Sequence, residues 1–404
     1  MDSAIKSQED KLVFSNQKEF IQNFEVSALT ISFLVKELQN LINAKLNQIY
    51  QIEKEELLLV FHIPSVGKQI LRVINSKLMY IASAKGEMPD KPHGFCMFLR
   101  KKLKSARLRN IKQINFERIV ELEFETKSQD QINKFYLLIE LFSTGNILIL
   151  DDKRKILSAF FYKKYKDRTI RPKEPYSFPA KEHDFLTIDK PKFTSALLNS
   201  NKESVIKFLA IDLGLGGVFA EEICILSKID KTKKSDLLSE SEIDNVFQSI
   251  EALRSSHTHP ELIFNENKIK KIIPFKLNFY KSLNQQSFSS LSNAFDSIFT
   301  QSVISDKKES KTKTLNTKLS KLQLIVDTQT ERIKQLGEEQ SVNQSKGELI
   351  YENYQLIQDI LEQINKARET LSWDEIKEKL KQNKDANSII KQINEKEGII
   401  SIEL

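Results

Sequence analysis

The hydrophobic pattern of the N-terminal half is typical of short strands interrupted by a few helices. Apolar residues recur at helical spacing over residues 31–43 and again over 95–106, which predicts two helices. Between and after them, β-rich runs bounded by turn residues predict strands at 56–63, 69–74, 118–124, 135–142 and 146–150. Residues 143–146 join the last two runs and predict a hairpin. We therefore predict an α+β domain with antiparallel strands.

A glycine-rich turn interrupts the next apolar segment. Residues 202–226 read as two helices joined by Gly214-Leu-Gly-Gly217, a candidate helix-hairpin-helix. In such a motif the turn amides at Gly214, Gly216 and Gly217 meet a nucleic-acid backbone phosphate. A plain helical connector explains the same spacing. Helical sequence with polar turns is predicted to continue to about residue 283.

Heptad periodicity dominates the remainder of the chain. Leu315, Leu322 and Leu336 share one heptad position, whereas Leu319, Val326 and Ile333 share the other. A second seam follows over 350–371, and the polar stretch 337–347 between the seams predicts a turn that folds the two helices into an antiparallel coiled-coil arm. Ser372-Trp-Asp-Glu375 has the spacing of a capping box, and residues 400–404 resemble a strand without a partner.

These patterns divide the chain into five predicted regions. They are a polar extension (1–25), the α+β domain (26–195), the helix-hairpin-helix region (196–283), the coiled-coil middle region (284–371) and a C-terminal helix and strand (372–404).

A basic series, defined as the seven cations from Arg100 to Lys112, contains no acidic residue. Placed on a helix, the apolar Phe98, Leu99, Leu103 and Ala106 point inward, so the charges flank a buried stripe and attract polyanions. The whole chain contains 62 basic and 55 acidic residues, so its net charge is small for its length. Any attraction of anions must therefore come from such local clustering. An ordinary solvated helix face is the alternative. A second cluster could also touch RNA or form a charged loop: Lys163, Lys164, Lys166, Arg168, Arg171 and Lys173.

Motifs for catalysis or metal binding are missing from the sequence. No Walker loop, nucleophile elbow or cysteine pair occurs, and His257 and His259 lack an evident third ligand. We expect no enzyme activity, no cofactor and no metal. Cys96 and Cys224 lie far apart in apolar sequence, as reduced thiols of a cytoplasmic protein do, and no run is long enough to span a membrane. A DNA glycosylase that uses an N-terminal proline is excluded by Asp2, so no DNA partner is expected.

Several segments in order resemble the NFACT family of RqcH-like ribosome quality control proteins, most closely its archaeal and eukaryotic branch. The segments are 34–38, 44–51, 92–112, 140–150, 213–222 and 347–354, and the resemblance covers about residues 26–404. It implies an NFACT-N domain, a helix-hairpin-helix region and a coiled-coil middle region, with the NFACT-R module expected where this chain ends.

The resemblance also implies a function. Family members bind the stalled large ribosomal subunit with its peptidyl-tRNA and recruit a tRNA to extend the trapped chain without a message. Cations would meet rRNA and tRNA phosphates, and the arm could offer a protein-contact surface. The residues implied in tRNA or rRNA binding are Arg100, Lys101, Lys102, Lys104, Arg107, Arg109, Lys112, Glu117, Arg118, Arg168 and Arg171.

Two positions depart from the family pattern. The usual Asp-Arg pair is Glu117-Arg118 here, and Thr30 stands where the family frequently has an aspartate in the first helix. The longer carboxylate and the missing charge predict weakened tailing. An alternative from another class is a protein-interaction scaffold that kept the fold but lost RNA function. Cations that are dispersed over the domain would favour the scaffold.

Overall fold

A computed structural model describes residues 17–52, 55–86, 88–89, 91–128, 131–165, 168–179, 181–266, 268–382 and 389–404. The chain divides into two compact units, residues 1–308 and 309–404. Each unit is considered by itself below.

In the described part of the first unit, nine strands form one antiparallel sheet. They are β1 (Lys45–Ile52), β2 (Glu56–Ile63), β3 (Gly67–Ile74), β4 (Leu78–Ala82), β5 (Arg107–Gln113), β6 (Ile119–Ser128), β7 (Gln131–Glu140), β8 (Asn146–Leu150) and β9 (Ile156–Ala159). Their order is β4-β3-β2-β1-β5-β6-β7-β8-β9. The α+β prediction is confirmed, and β2 and β8 have the predicted bounds. The predicted hairpin joins β7 to β8, where Gly145 has φ +62 and an added Cβ would lie 2.4 Å from the backbone nitrogen of Ser76.

The sheet buries apolar side chains on both faces. Along β7, Leu137 and Ile139 belong to the main core, whereas Leu138 between them packs into a smaller cluster. Successive side chains of a strand point to opposite faces, so the two clusters lie on opposite sides of the sheet. Helix α1 (Ala28–Glu37) packs into the main core and continues as a 3₁₀ turn, Leu38–Leu41.

The predicted helix over 95–106 is too long. Helix α2 spans Gly94–Lys102, and the chain then turns at Ser105, which has φ +57, into strand β5. Leu108 and Ile111 enter the main core from β5, with a bulge between Leu108 and Asn110. The helical spacing of Phe98, Leu99, Leu103 and Ala106 predicted a longer helix, but Leu103 and Ala106 lie in the turn between α2 and β5. The second half of the basic series therefore lies on a strand.

The predicted helical region after residue 200 contains helices and a small sheet. The helices are α3 (Lys190–Leu198), α4 (Val205–Lys207), α5 (Gly217–Ser227) and α6 (Glu240–Ser255), with a π-helical turn Phe208–Asp212 and 3₁₀ turns Ser235–Leu237 and Asn278–Tyr280. The expectation of helix to residue 283 is wrong, because the small sheet contains β12 (Glu261–Asn265), β13 (Lys268–Ile273) and β14 (Asn284–Ser287).

Two short strands earlier in the chain, β10 (Lys163–Lys164) and β11 (Thr169–Ile170), follow β9 and pair with each other.

Helix α7 runs from Leu291 to Glu352 without interruption, so the predicted turn at 337–347 is wrong. This stretch contains two glycines but no proline, and an isolated glycine costs a helix only about 1 kcal/mol relative to alanine. The heptad residues of the predicted seam are exposed; Leu319, for example, is 66% exposed. The predicted antiparallel pairing of 315–336 with 350–371 is therefore absent from the described residues.

The base of α7 is tied to the end of α1. The Glu37 carboxylate accepts hydrogen bonds from the Leu291 and Ser292 amides at 2.9 and 3.1 Å. A carboxylate at a helix N-terminus satisfies unpaired amides and interacts favourably with the helix dipole.

The second unit continues with α8 (Tyr354–Arg368), α9 (Trp373–Gln382), β15 (Ile390–Asn394) and β16 (Ile399–Ile402). The capping box is confirmed, because the Glu375 carboxylate accepts from the Ser372 amide at 2.8 Å and the Glu375 amide donates to the Ser372 hydroxyl at 3.4 Å. The C-terminal strand does have a partner, since β16 pairs with β15. In the described part of the chain, no helix combines the length and apolar character that a membrane crossing requires.

Candidate functional site

A cavity of about 1220 Å³ opens in the first unit. Segments far apart in sequence line it: 25–28 before and within α1, 116–118 between β5 and β6, 181–183, the π-helical turn and glycine turn within 208–216, and Lys271 on β13. Its lining mixes cations with carboxylates, as a site for a charged ligand does.

The glycine turn forms one wall of this cavity. Gly214 and Gly216 have φ angles of +73° and +74°, which residues with a Cβ rarely adopt, and Gly217 begins α5. An added Cβ on Gly214 would lie 2.6 Å from the Lys181 Nζ, whereas one on Gly216 would meet nothing within 4 Å. The positive φ therefore favours glycine at position 214, and a Cβ there would displace the end of the Lys181 side chain.

Lys181 holds the Glu117 side chain in the cavity wall. Its ammonium lies 3.3 Å from the Glu117 Oε1, donates to the Phe116 carbonyl at 3.3 Å, and sits 4.9 Å from the centre of the Phe116 ring. The Lys181 side chain is only 10% exposed. The carboxylate of the altered family pair is thus fixed by a lysine that nothing in the sequence singled out.

Arg118 pairs with Glu25 at 2.8 Å and not with its sequence neighbour Glu117, whose carboxylate pairs with Lys181. Glu25 comes from the segment preceding α1 and is 69% exposed, whereas Arg118 is 30% exposed. Such an exposed ion pair contributes little to stability, so the guanidinium can exchange one anion for another at small cost.

Thr30 lies just behind the cavity wall. The Ser27 hydroxyl caps α1 by accepting from the Thr30 amide at 3.0 Å, and the two hydroxyls are 2.8 Å apart. Thr30 is buried, whereas Ser27 lines the cavity. An aspartate at position 30, which the family frequently has, would therefore be separated from the cavity only by Ser27.

Lys271 is a cation that the sequence analysis missed. A β-bulge shifts the pairing of β12 with β13, so Ile263 faces Lys271 while Phe264 faces Ile269. Bulges re-aim side chains, and Lys271 lines the cavity. Burial, together with the nearby Arg118 charge, lowers the pKa of Lys271, and Glu25 opposes this shift only partly. The one sequence signal is a lysine run, Lys268 to Lys271, interrupted by a single isoleucine.

The helical part of the basic series serves packing as well as charge. Arg100 donates from Nε to the Ile49 carbonyl at 2.8 Å and lies 5.4 Å from the Tyr50 ring centre. Lys102 lies 5.9 Å from the Phe135 ring centre, and Lys101 and Lys104 are exposed.

The strand part of the series meets an outer glutamate row, defined as Glu121, Glu123 and Glu125 on β6. Lys112 lies 3.3 Å from Glu121, which also pairs with Arg154. Arg109 pairs with Glu125 at 2.9 Å and donates to the Asn43 side chain at 2.8 Å. This pairing raises the pKa of Arg109 and lowers that of Glu125.

The row lies on the sheet face opposite the main core, since Val120, Leu122 and Phe124 alternate with it and enter that core. Arg107 donates to the Asn43 carbonyl at 3.1 Å and pairs in register with Glu125. Most positive charge of the strand part is therefore balanced by carboxylates.

The second basic cluster, within residues 163–173, also contains both a cation paired with a carboxylate and an exposed cation. Arg168 pairs with the buried Glu140 at 2.5 Å and donates to the Tyr176 hydroxyl at 3.0 Å. Arg171 is exposed, Lys163 lies 5.1 Å from the Tyr165 ring centre, and Lys166 lies outside the described residues. Arg168 is a structural residue by these contacts.

The structure brings together part of the predicted site. Glu117, Arg118, Gly214 and Gly216 all line the cavity, with Thr30 behind it. Gly217 begins α5 at its edge, while the basic series, Arg168 and Arg171 do not line it. Glu25, Lys181 and Lys271 are among the cavity residues that sequence reasoning missed.

The described segments contain neither an exposed cysteine thiol nor a cluster of side chains that could bind a metal ion. Both thiols are buried, and burial raises the pKa of Cys224 to about 11. No cluster of three histidine, cysteine or acidic side chains suited to a metal occurs within those segments.

The described part of the first unit combines an antiparallel sheet, helices joined by a glycine turn, and a polar cavity lined by that turn. A family model described as NFACT N-terminal and middle domains matches residues 27–395. The chain belongs to the NFACT family, which confirms the resemblance seen in its sequence.

Two individual proteins of known name are similar to the chain in sequence. The chain is 34% identical over 398 residues to a protein of Methanocaldococcus jannaschii named Archaeal Rqc2 homolog aRqcH, covering 94% of this chain and 58% of the relative. It is 35% identical over 137 residues to Ribosome quality control complex subunit 2 of Saccharomyces cerevisiae, covering 33% of this chain and 12% of that protein. The chain thus spans little more than half of the archaeal relative's length.

Solved structures share the fold. The N-terminal part of the fibronectin/fibrinogen-binding protein from Streptococcus suis superposes with a TM-score of 0.57 at 22% identity, covering 69% of this chain and all of that one. The fibrinogen-binding protein from Staphylococcus aureus gives 0.56 at 20% identity, covering 68% and 98%. At these identities the likeness concerns the fold alone.

Proposed function

We propose that this chain acts in ribosome quality control as an RNA-binding factor of the cytoplasm. It binds the stalled large ribosomal subunit that carries peptidyl-tRNA, and it recruits a tRNA for message-independent tailing of the nascent chain. Peptide-bond chemistry belongs to the ribosome in this proposal, so the chain itself is not an enzyme. The archaeal and yeast relatives, whose names refer to Rqc2 and to ribosome quality control, support the assignment.

One observation carries the proposal. Glu117 and Arg118, which match the family's acid-arginine pair, and Gly214 and Gly216, which match its helical hairpin, line the same cavity although about 100 residues separate them. The Arg118 guanidinium beside this polar space suits a nucleic-acid phosphate. The predicted phosphate contact of the Gly216 amide is wrong in this structure, because that amide donates to the Ala210 carbonyl at 3.0 Å.

Tailing is weakened in this proposal. Glu117 is held by Lys181, so its carboxylate reaches one methylene further than an aspartate would from a fixed backbone. Thr30 supplies a hydroxyl bonded to Ser27 where the family frequently has a carboxylate. Both changes lie at or behind the cavity wall, where they alter how an RNA is oriented more than whether it binds.

A protein-interaction scaffold without RNA function is the second candidate. The pairing of Arg109 and Lys112 with the outer glutamate row favours it, because balanced cations release few counterions on meeting RNA. The exposed heptad residues of α7 also suit a protein partner.

Sedimentation with stalled large subunits at graded salt separates the two candidates. RNA contact predicts binding that weakens as salt rises, because phosphate contacts release counterions. Arg118→Gln should reduce binding at low salt, whereas Lys112→Gln, which removes the same charge from the outer face, should not. Failure to co-sediment at low salt would sink the RNA-binding role and leave the scaffold.

A tailing assay tests the weakened step. Thr30→Asp combined with Glu117→Asp should increase the length or yield of C-terminal tails while subunit binding stays constant. Equal tailing by the parent and the double variant would contradict the proposed role of these two positions.

A further inference from the structure

We propose that the cavity contains a phosphate site formed by Arg118 and Lys271, and that the Glu25 carboxylate occupies this site in the free protein as a substitute anion. The proposal deepens the proposed function, because RNA is the expected source of the phosphate. Its ligand chemistry can nevertheless be tested without a ribosome.

Lys271 provides the first argument. It is partly buried in a cavity wall, and among the described residues no hydrogen-bond or ion-pair partner accompanies it. Buried ammonium groups normally have a partner, because desolvation of an isolated charge is costly. The Lys271 ammonium faces the cavity and can therefore donate to an anion that binds there.

The bulge on β13 provides the second argument. The extra residue in this strand is Lys270, which changes the direction in which Lys271 projects. Lys270 is exposed and lies 5.5 Å from the Tyr280 ring centre, so the two neighbouring lysines occupy different surroundings. A local deformation of the strand thus serves to place one charge in the cavity.

Glu25 provides the third argument. Its carboxylate meets Arg118 at 2.8 Å and also attracts the charge of Lys271. Because Glu25 is largely exposed, it can leave the cavity at small cost. A phosphate oxygen offers Arg118 the same charge-assisted hydrogen bond and brings further acceptors for Lys271.

The test is a titration of the full chain with inorganic phosphate, and separately with a single-stranded RNA oligonucleotide lacking terminal phosphates. Lys271→Gln should weaken both interactions about tenfold, as expected for a lost charge-assisted hydrogen bond. Lys268→Gln removes an exposed charge from the same strand and should change neither. Thermal unfolding of each variant verifies that it is folded.

Glu25→Gln should change phosphate affinity in the opposite direction to Lys271→Gln. Removing the substitute anion should strengthen phosphate binding about threefold or more, because the ligand no longer competes with a carboxylate. Glu182→Gln is the matched control, since Glu182 lines the same cavity and is 94% exposed but contacts His183 instead of Arg118. This gain of affinity keeps the proposal testable if Lys271→Gln does not fold.

The outcomes separate the inference from the function on which it builds. RNA binding that is unchanged in both Lys271→Gln and Glu25→Gln would overturn the phosphate site while leaving an RNA-binding role intact. Suppose that phosphate binding weakens in Lys271→Gln and strengthens in Glu25→Gln, but the chain does not bind stalled subunits. This result would support the phosphate site and overturn the ribosomal role. Equal gains in Glu25→Gln and Glu182→Gln would reduce the effect to general electrostatics and overturn the substitution by Glu25.

Discussion

The two charged regions of the first unit contrast in how they are built. The outer face of the sheet carries Arg109 and Lys112 from a dense basic series, and neighbouring glutamates balance them. The cavity gathers its cations, among them Arg118, Lys181 and Lys271, from segments that are distant in the sequence. Charge density along the sequence therefore predicts available charge poorly, because strand register decides which acids face which bases.

The largest expected difference concerns stability. Glu121→Gln should lower the free energy of unfolding by about 2 kcal/mol, because Glu121 is buried and pairs with Lys112 and Arg154. Glu25→Gln, which breaks the exposed pair of the cavity, should change it by less than about 0.5 kcal/mol. Urea denaturation of both variants measures the contrast. Equal losses would mean that the two regions do not differ in kind.

Binding should show the reverse order. Arg118→Gln is expected to weaken binding to stalled subunits about tenfold and to reduce the salt dependence by about one phosphate contact. Lys112→Gln should weaken binding less than about twofold, since Glu121 already neutralises that lysine. Salt-graded sedimentation gives both values. A larger effect at Lys112 would place the RNA on the outer face.

The glycine turn sharpens the comparison inside the cavity. Gly214→Ala and Gly216→Ala should each cost about 1 kcal/mol, because both residues have positive φ angles. Only Gly214→Ala also displaces Lys181 from Glu117, so it alone should weaken RNA binding. Thermal unfolding and sedimentation of the pair test this. Identical binding by the two variants would contradict a role for Lys181 in holding Glu117.

The smallest expected effect is a stability gain that depends on pH. Because the pKa of Lys271 is lowered from 10.5 in the folded protein, its charge opposes folding at neutral pH. Lys271→Met should therefore raise the unfolding midpoint by a few degrees. The gain should fade as pH rises through the folded pKa towards 10.5, where the unfolded chain also releases the proton. A gain that persists unchanged at high pH would assign it to packing instead.

Local patterns predicted the parts of the fold that local interactions determine. The apolar run of β2, the β7–β8 hairpin and the capping box at Ser372 could all be recognised, since each depends on residues within a few positions. The sequence predicts that the helix continues past Lys102 because Leu103 and Ala106 extend the helical spacing of Phe98 and Leu99. The reversal at Ser105 depends on pairing with distant strands, which the sequence does not display.

The site was predictable only where a motif was contiguous. Glu117-Arg118 and the glycine turn could be found, but their meeting in one cavity depends on the tertiary fold. Glu25 lies 93 positions from Arg118, and the direction of Lys271 depends on a register shift. Neither relation leaves a periodic trace in the chain.

Helix α1 acts as a strut between the cavity and the long helix. Ser27, which caps its first turn, lines the ligand space, while Glu37 at its other end holds the first amides of α7. Ten residues of helix span about 15 Å as a rigid rod. A ligand that shifts Ser27 would thus strain the anchor of α7, and faster hydrogen exchange at Leu291 and Ser292 upon RNA binding would reveal that mechanical link.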